Sequence, residues 1–219
     1  MRSHGGGHRM MRFLRKSGID ERSAMLVVGV CAVTMAGLLM AVGEYSGRYF
    51  SKPLVEIVFF GVLALWFPES KEKHWKKASV VIFIILGLAL GAVWIVFFGF
   101  PAVDSTEFKR LDKFSSSELV FGLSASLVTA PLFEEKVARH LILDGLGALH
   151  AFIASSIVSI AFALTHVGSI IWAFLASMLL CFFALGLKMT SVQRAISHGV
   201  CNLSIVVWYY TDAYGIAQG

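Results

Sequence analysis

Long apolar runs that are rarely interrupted by charge are the feature that most limits how this chain can fold. Hydrophobic residues make up 57% of the 219 residues and charged residues 15%, and the mean hydropathy is +0.76. Soluble domains are about a quarter charged, so this composition indicates an integral membrane protein. Inside a bilayer only helices and closed barrels satisfy their own backbone hydrogen bonds. Because the runs are continuous rather than alternating, they predict an all-α, polytopic membrane protein.

The chain has room for about seven transmembrane helices of about 20 residues each. We predict a basic N-terminal segment at 1–23, three helices with their loops within 24–117, and a helical core at 118–219. The predicted spans are 24–43, 53–67, 79–100, a long helix that runs from 117–118 to the turn at 145–147, and then 148–167, 169–189 and 192–210. The serines at 115–117 offer an N-cap for the long helix.

Basic residues predict the orientation in the membrane. Six arginines and lysines lie within 1–23, four lysines lie within 68–78, and Lys188 and Arg194 flank the last turn. Loops that are rich in Lys and Arg stay on the cytoplasmic side. We therefore predict that the N-terminus lies inside and the C-terminus outside. The formal charge of +5 comes largely from these segments, so it indicates topology rather than binding to nucleic acid.

One polar cluster lies at 129–139, inside an otherwise apolar part of the chain. It contains Glu134, Glu135, Lys136 and Arg139, and ionisable groups at membrane depth are costly and usually functional. On a helix, Glu135 and Arg139 are four residues apart and share a face, where they can pair. Glu134 points about 100° away from Glu135. The pattern predicts that the ion pair neutralises one carboxylate and leaves the other available for chemistry.

Two later motifs supply groups that a single carboxylate lacks. His166 ends the apolar run that contains Phe162, and His198 precedes Asn202 by four residues, so these two share one helical face. Peptide hydrolysis requires a water, a base that takes its proton, and donors for the developing oxyanion. Glu134 suits the base and His166 can hold the same water. The N–H groups of His198 and Asn202 suit the oxyanion.

In their order, the motifs Glu-Glu-x-x-x-Arg, Phe-x-x-x-His and His-x-x-x-Asn resemble those of the CPBP family of CAAX-protease and bacteriocin-processing membrane endopeptidases, also called the Abi family. The resemblance covers roughly residues 118–207. It implies an intramembrane endopeptidase of the glutamic type that uses no metal or other cofactor. The matching positions imply catalytic roles for Glu134, His166, His198 and Asn202, with Glu135 and Arg139 in support.

The sequence also departs from the pattern of this family. Its members often have an aromatic residue before the motif arginine and a glycine after it, whereas Arg139 stands between Ala138 and His140. The cation at Lys136, beside the glutamate pair, is unusual too. These departures bear on substrate preference rather than on the catalytic set.

Other polar or reactive side chains in apolar runs have simpler interpretations. Glu56 lies one turn inside the second predicted span, so we interpret it as a carboxylate that reaches back towards Lys52 or Arg48. No Cys-x-x-Cys spacing exists. We interpret the three cysteines as small apolar helix residues: Cys31, Cys181 and Cys201.

Three alternatives remain open from the residues alone. A zinc-dependent version of the protease would take one carboxylate and two histidines from separate helices, although no His-Glu-x-x-His motif is present. A non-catalytic immunity or scaffold protein would keep the same fold and bind a partner. A proton-coupled transporter would also use buried Glu and His, but no internal repeat supports it.

The expected partners are the lipid bilayer and a membrane-anchored or C-terminally tailed protein or peptide, and not nucleic acid. The resemblance allows a prenylated CAAX protein, a bacteriocin leader or a C-terminal sorting tail as the substrate. Short loops and small size predict a multi-pass protein of a prokaryotic cell membrane. The sequence does not identify the oligomeric state.

Overall fold

The computed structural model describes Gly18 and residues 20–45, 50–69, 77–99 and 115–213. Within these residues the chain forms seven long helices and no strand, which confirms the all-α prediction. The helices are α1 (Glu21–Tyr45), α2 (Ser51–Trp66), α3 (Lys77–Trp94, extended by the π-helical turn Ile95–Gly99), α4 (Ser116–Gly145), α5 (Ala151–Leu164), α6 (Ile170–Leu185) and α7 (Ser191–Ala213). Their bounds agree with the predicted spans to within a few residues.

The lengths and the outer surfaces of the helices fit a membrane protein. Of the helices in the described part of the chain, three are long and apolar enough to cross a bilayer: Glu21–Gly43, Val80–Gly99 and Ser116–Gly145. Helices α5 and α6 are also apolar but shorter. Large hydrophobic side chains face outward, for example Val42 at 67% and Leu65 at 71% exposure. Since lipid tails solvate such a surface, the protein is an all-α membrane protein, while the count of seven spans stays a prediction.

Most of the charges that predict the orientation lie outside the described residues, within 1–17 and 71–76. Arg194 is described, and it lies in the first turn of α7. Its side chain is buried, with the residue at 2% exposure, because it binds Glu135 in the interior. Lys188 is exposed. The inside location of the N-terminus therefore stays a prediction.

Helix α4 begins with a capping box and packs one apolar stripe against α1 and α2. The Ser115 hydroxyl accepts a hydrogen bond from the backbone N–H of Glu118 at 3.3 Å, and the Glu118 carboxylate accepts one from the backbone N–H of Ser115. This reciprocal arrangement satisfies N–H groups that the first turn leaves free. Further along, Phe133, Val137 and Leu141 recur every four residues and are buried in one apolar cluster with α1 and α2. The N-cap predicted at 115–117 is thus present.

Small residues hold α7 against α3. Gly87 and Gly91 form a Gly-x-x-x-Gly pattern on α3, and both face α7. A Cβ atom added at Gly87 would lie 2.5 Å from the carbonyl oxygen of Ser197, and one at Gly91 would overlap with the Cβ atom of Ser204. The Ser197 hydroxyl also donates to the carbonyl of Phe83 at 2.9 Å. Small residues let helix backbones approach closely in membranes, and this contact positions the helix that carries the third motif.

We expect Gly91→Ala to lower the stability of the protein and Gly61→Ala to leave it unchanged or slightly raised. The added methyl at Gly91 meets Ser204, and overpacking of this kind costs about 1–3 kcal/mol. Gly61 has nothing within 4 Å of its added Cβ, so there alanine only improves helix propensity. Thermal unfolding of both variants in detergent checks this. Equal unfolding temperatures for the two variants would contradict the close packing of α3 against α7.

Lys136 joins the end of α2 to α4, which gives a structural reason for this unexpected cation. Its side chain is buried, and its Nζ atom donates to the carbonyl of Phe67 at 2.7 Å and pairs with the carboxylate of Glu69 at 3.1 Å. The other oxygen of Glu69 accepts a hydrogen bond of 2.8 Å from the backbone N–H of Ser191, at the start of α7. An anion is favoured at a helix N-terminus. One carboxylate therefore connects three helices.

Because of these contacts, we expect Glu69→Gln to destabilise the protein at neutral pH but not in acid. Burial alone would raise the pKa of Glu69, but the Lys136 ammonium, His140 and hydrogen bonds from Ser191 lower it from 4.5 to about 2. A carboxyl whose pKa is lowered in the folded protein stabilises the fold at pH values above its ordinary pKa. This stabilisation is lost as the pH falls towards the pKa of the carboxyl in the folded protein. The variant should unfold at a lower temperature than the wild type at about pH 7. The difference between the two unfolding temperatures should become smaller below about pH 4.

Unfolding temperatures measured across that range, with Glu21→Gln at the exposed start of α1 as control, check the prediction. If the difference in unfolding temperature between the wild type and Glu69→Gln stays constant with pH, the charge of Glu69 contributes nothing to stability.

Candidate active site

The centre of the site is the buried carboxylate of Glu135. Its exposure is 0%, and three side chains surround it. The Nη1 atom of Arg139 lies 3.1 Å from Oε1, and the Nε atom of Arg194 lies 3.1 Å from Oε2. The Nδ1 atom of His198 lies 3.2 Å from Oε1. The expected pair of Glu135 and Arg139 is present, and Arg194 adds a second cation, so the buried charge is compensated.

Arg139 extends this network to α5 and α6. Its Nη2 atom donates to the hydroxyl of Ser177 at 2.6 Å, and its guanidinium lies 4.5 Å from the centre of the Phe162 ring. A cation over the face of an aromatic ring is attracted by the ring quadrupole. The first motif on α4 is thereby connected to the aromatic residue of the second motif on α5.

Glu134 occupies a different environment from its neighbour, as the angle between adjacent helical residues requires. Its side chain is 26% exposed, and its Oε2 atom lies 3.9 Å from the Nε2 atom of His198. This separation is too long for a direct hydrogen bond. One water beside the two atoms can contact both of them. The two adjacent glutamates therefore differ. The carboxylate of Glu135 is bound in ion pairs, whereas that of Glu134 is partly exposed beside an imidazole.

His166 lies in the turn that follows α5 and stacks on Phe162. Its ring stacks on Phe162 with a centroid separation of 4.4 Å, and its Nδ1 atom lies 2.9 Å from the carbonyl of Phe162 and 3.0 Å from the hydroxyl of Thr165. His198 approaches the same ring edge-on at 6.2 Å. Among the contacts of these described residues, none joins His166 to Glu134 directly. Phe162 therefore contacts both histidines.

Asn202 is held by a carbonyl that α4 leaves free. Its Nδ2 atom donates to the carbonyl of Ser126 at 2.8 Å. This part of α4 is a π-helical turn, Ala125–Thr129, in which the N–H of Ala130 bonds to the carbonyl of Ala125, five residues back. The next donor in that register would be Pro131, which has no N–H. The side chain of Asn202 satisfies the carbonyl that the proline leaves unpaired, so α4 and α7 are joined at the site.

Gly199 allows this close approach of α7 to α4. A Cβ atom added there would overlap with the carbonyl oxygen of Leu127, and it would also contact Pro131 at 3.9 Å. Only a glycine leaves room for backbone at this distance. Since Gly199 directly follows His198, the position of that imidazole depends on this contact.

Glu56 is part of the interior and contacts another helix in addition to lying near Lys52 on its own helix. The residue is 2% exposed, and its Oε2 atom accepts a hydrogen bond of 2.6 Å from the hydroxyl of Thr129 on α4. Lys52 and Glu134 lie within electrostatic reach. Arg48 lies outside the described residues. The Glu56 side chain therefore joins α2 to the π-helical turn of α4.

A cavity of about 720 Å³ reaches the arginines from the opposite side. It lies between the start of α1 and the end of α4, and its walls include Arg22, Asp144, Arg139 and Arg194. Neither Glu134 nor any histidine of the three motifs lines it. As for a metal, the part of the chain that the structure describes has no group of three or more His, Cys, Asp or Glu side chains arranged to hold one.

The predicted residues are distributed over one connected region. Glu134, Glu135, Arg139 and His198 form one cluster, and Phe162 connects His166 to it. Asn202 binds α4 one turn further along α7. Four residues that the motifs did not indicate complete the region: Ser126, Ser177, Arg194 and Gly199.

Comparison with known proteins bears on the same region of the chain. No curated protein and no solved structure matches the sequence. A protein family does match: Type II CAAX prenyl endopeptidase Rce1-like, over residues 116–204. This match covers α4 to α6 and α7 as far as residue 204, and it contains all three motifs. It indicates a membrane-embedded peptidase. The resemblance to the CAAX proteases is therefore confirmed, and residues 116–204 carry the Rce1-like sequence pattern.

Proposed function

We propose that this protein is an intramembrane endopeptidase of the glutamic type. The observation that carries the proposal is the pairing of a partly exposed Glu134 with the Nε2 atom of His198 at 3.9 Å, beside the buried Glu135 network. The match of α4 to α7 to a CAAX endopeptidase family supports the reaction class. A carboxylate in an apolar environment next to an imidazole is suited to remove a proton from water.

The proposed reaction begins with a water that contacts both Glu134 and His198. Glu134 accepts a proton as the water attacks the scissile carbonyl, and His166 helps to hold the water. The second N–H of the Asn202 amide is the donor for the oxyanion, since the first is bound to Ser126. His198 can donate to the oxyanion from Nε2 only when that atom carries a proton. Glu135 and Arg139 keep these groups in place.

The proposed substrate is a membrane-anchored or C-terminally tailed protein or peptide, cut near its C-terminus or its membrane segment. A prenylated CAAX protein, a bacteriocin leader and a C-terminal sorting tail all have this form. The proposed location is the cell membrane of a prokaryote, where the protein is multi-pass. The apolar outer surface of the helices and the family match support a substrate that is delivered through the bilayer.

A cleavage assay with purified protein in lipid nanodiscs tests the proposal. Three synthetic peptides, with a prenylated C-terminus, a bacteriocin-type leader and a C-terminal apolar tail, are incubated with it, and the products are identified by mass spectrometry. We expect cleavage of at least one peptide, at an unchanged rate in the presence of a chelator. Loss of activity in chelator that zinc restores would favour the zinc-dependent version, and no cleavage of any peptide would contradict the proposal.

A further inference from the structure

The cavity beside the arginines carries opposite charges at its exposed and its buried ends. Two buried arginines line the inner end, which we call the floor: Arg139 is 1% exposed and Arg194 is 2% exposed. The outer end, which we call the mouth, is lined by three exposed carboxylates and one exposed cation: Asp20, Glu21, Asp144 and Arg22. A ligand that suits both ends therefore has an anion at its inner end and a cation at its outer end.

The floor of the cavity holds more positive than negative charge. Arg139 and Arg194 both pair with Glu135 at 3.1 Å, and no other carboxylate among the described residues pairs with either of them. The Nε atom of Arg139 is buried and has no hydrogen-bond acceptor within the same part of the chain. Two guanidiniums thus share one carboxylate, and a buried charge without compensation is costly. A carboxylate that enters the cavity would supply the missing counter-charge.

The spacing of the two ends matches a short peptide. Asp144 lies five residues after Arg139 on α4, which corresponds to about 7.5 Å along the helix axis. Two or three extended residues span about 7–10 Å. The cavity volume of about 720 Å³ lies within the range of about 300–1,000 Å³ that is typical of small-molecule sites. The walls also include Leu143, Leu185 and Met189, which suit apolar side chains.

We propose that this cavity binds a short apolar peptide with free ends, with its carboxylate at Arg139 and Arg194 and its ammonium at the mouth. Hydrolysis near a C-terminus releases peptides of this class, because the fragment already ends in a carboxylate and gains an ammonium when the bond breaks. The origin of the ligand rests on the proposed peptidase function, whereas its binding rests on the cavity alone. The site is separate from the reacting groups, since neither Glu134 nor a motif histidine lines the cavity.

A bound carboxylate would act on the active site through the two arginines. Both guanidiniums hold Glu135, which also contacts the Nδ1 atom of His198 at 3.2 Å. An anion on the cavity side competes with Glu135 for these donors and loosens its position. We therefore expect the peptide to lower kcat for cleavage and to leave KM unchanged, because it does not occupy the space beside Glu134.

Calorimetry with three forms of one tripeptide tests the charges of the ligand. The protein is purified in dodecyl maltoside, whose headgroup is uncharged, and is titrated with Val-Ile-Ala, with its C-terminal amide and with its N-acetyl form. Buried hydrogen bonds between charged groups contribute more to binding than exposed ion pairs do. The amide should therefore bind at least about tenfold more weakly than the free tripeptide. The N-acetyl form should bind only about two- to fivefold more weakly.

Two variants test the position of the ligand within the cavity. Glu21→Gln removes one charge from the mouth, so it should weaken binding of the free tripeptide about two- to fivefold and leave binding of the N-acetyl form unchanged. Ala184→Phe adds a ring to the cavity wall and should abolish binding, and its unfolding temperature shows whether it folds. The control Lys188→Met, at an exposed cation outside the cavity walls, should bind all three forms as the wild type does.

Equal binding of the free tripeptide and its amide, or binding of neither, would overturn the proposal. Displacement of the tripeptide by glycerophosphoethanolamine at similar concentrations would assign the cavity to a lipid headgroup instead. A tripeptide that raises KM at constant kcat would bind beside Glu134 rather than in the cavity, which also contradicts the proposal. Binding by a protein that cleaves none of the test peptides would count against the peptidase function and leave the binding site in place, so the two failures are distinguishable.

Discussion

Glu134→Gln lowers kcat/KM for peptide cleavage by about 1,000-fold and leaves the unfolding temperature close to that of the wild type. The substitution keeps the size of the side chain but removes the base, and general base catalysis contributes about 10²–10⁴-fold. The side chain is 26% exposed and lies 3.9 Å from the imidazole of His198, so the substitution leaves no buried ion pair broken. Two measurements on the same preparation check this prediction. Cleavage of the peptide that the wild type cuts fastest tests the loss of activity, and thermal unfolding tests the unchanged stability.

The neighbouring glutamate provides a matched comparison. Glu135→Gln leaves Arg139 and Arg194 buried without their carboxylate, and removal of one partner from a buried ion pair costs about 3–5 kcal/mol. We therefore expect Glu135→Gln to lower the unfolding temperature strongly, in contrast to Glu134→Gln. If Glu134→Gln kept full biological function, the protein would act by binding, as an immunity or scaffold protein would.

Gly199→Ala reduces cleavage by about 100-fold although residue 199 has no reactive group. The added methyl overlaps with the carbonyl of Leu127, so α7 must move away from α4. That movement carries His198 away from Glu134 and Asn202 away from Ser126. A misplacement of about 1 Å at a catalytic group can cost about 100-fold in rate.

Gly122→Ala is the control for this prediction, because a Cβ atom there has nothing within 4 Å. Size-exclusion chromatography and unfolding show whether Gly199→Ala still folds. If the variant does not fold, Asn202→Ala tests the same junction with no added bulk, and it should also lower activity. A folded Gly199→Ala with wild-type kcat/KM would show that α4 and α7 do not need this contact.

Periodicity along single helices predicted the parts of the site that depend on one helix. Glu135 and Arg139 pair because residues four apart share a face, and the same spacing separates Phe162 from His166. The predicted difference between Glu134 and Glu135 has the same origin. Apolar runs predicted the helices themselves, since no other backbone arrangement of these residues suits lipid.

Periodicity along one helix does not predict which side chains of different helices contact each other. Arg194 lies close to a turn in the sequence and predicted only the orientation, yet its long side chain reaches Glu135 in the interior. The bond between Asn202 and Ser126 requires knowing which helix faces the carbonyl that Pro131 frees. Glu56 meets Thr129 for a similar reason. A proline inside a helix indicates that some carbonyl needs a partner, but it does not identify that partner.

The shortness of α5 and α6 has a consequence for the surrounding membrane. They have 14 and 16 residues, and at 1.5 Å per residue they are about 21 and 24 Å long. The hydrocarbon layer of a bilayer is about 30 Å thick, and lipids next to a short apolar helix compress to match it. We therefore expect a local dimple in the bilayer beside these two helices. There, headgroups and water would approach His166, and a lipid-anchored chain would meet the site at reduced depth.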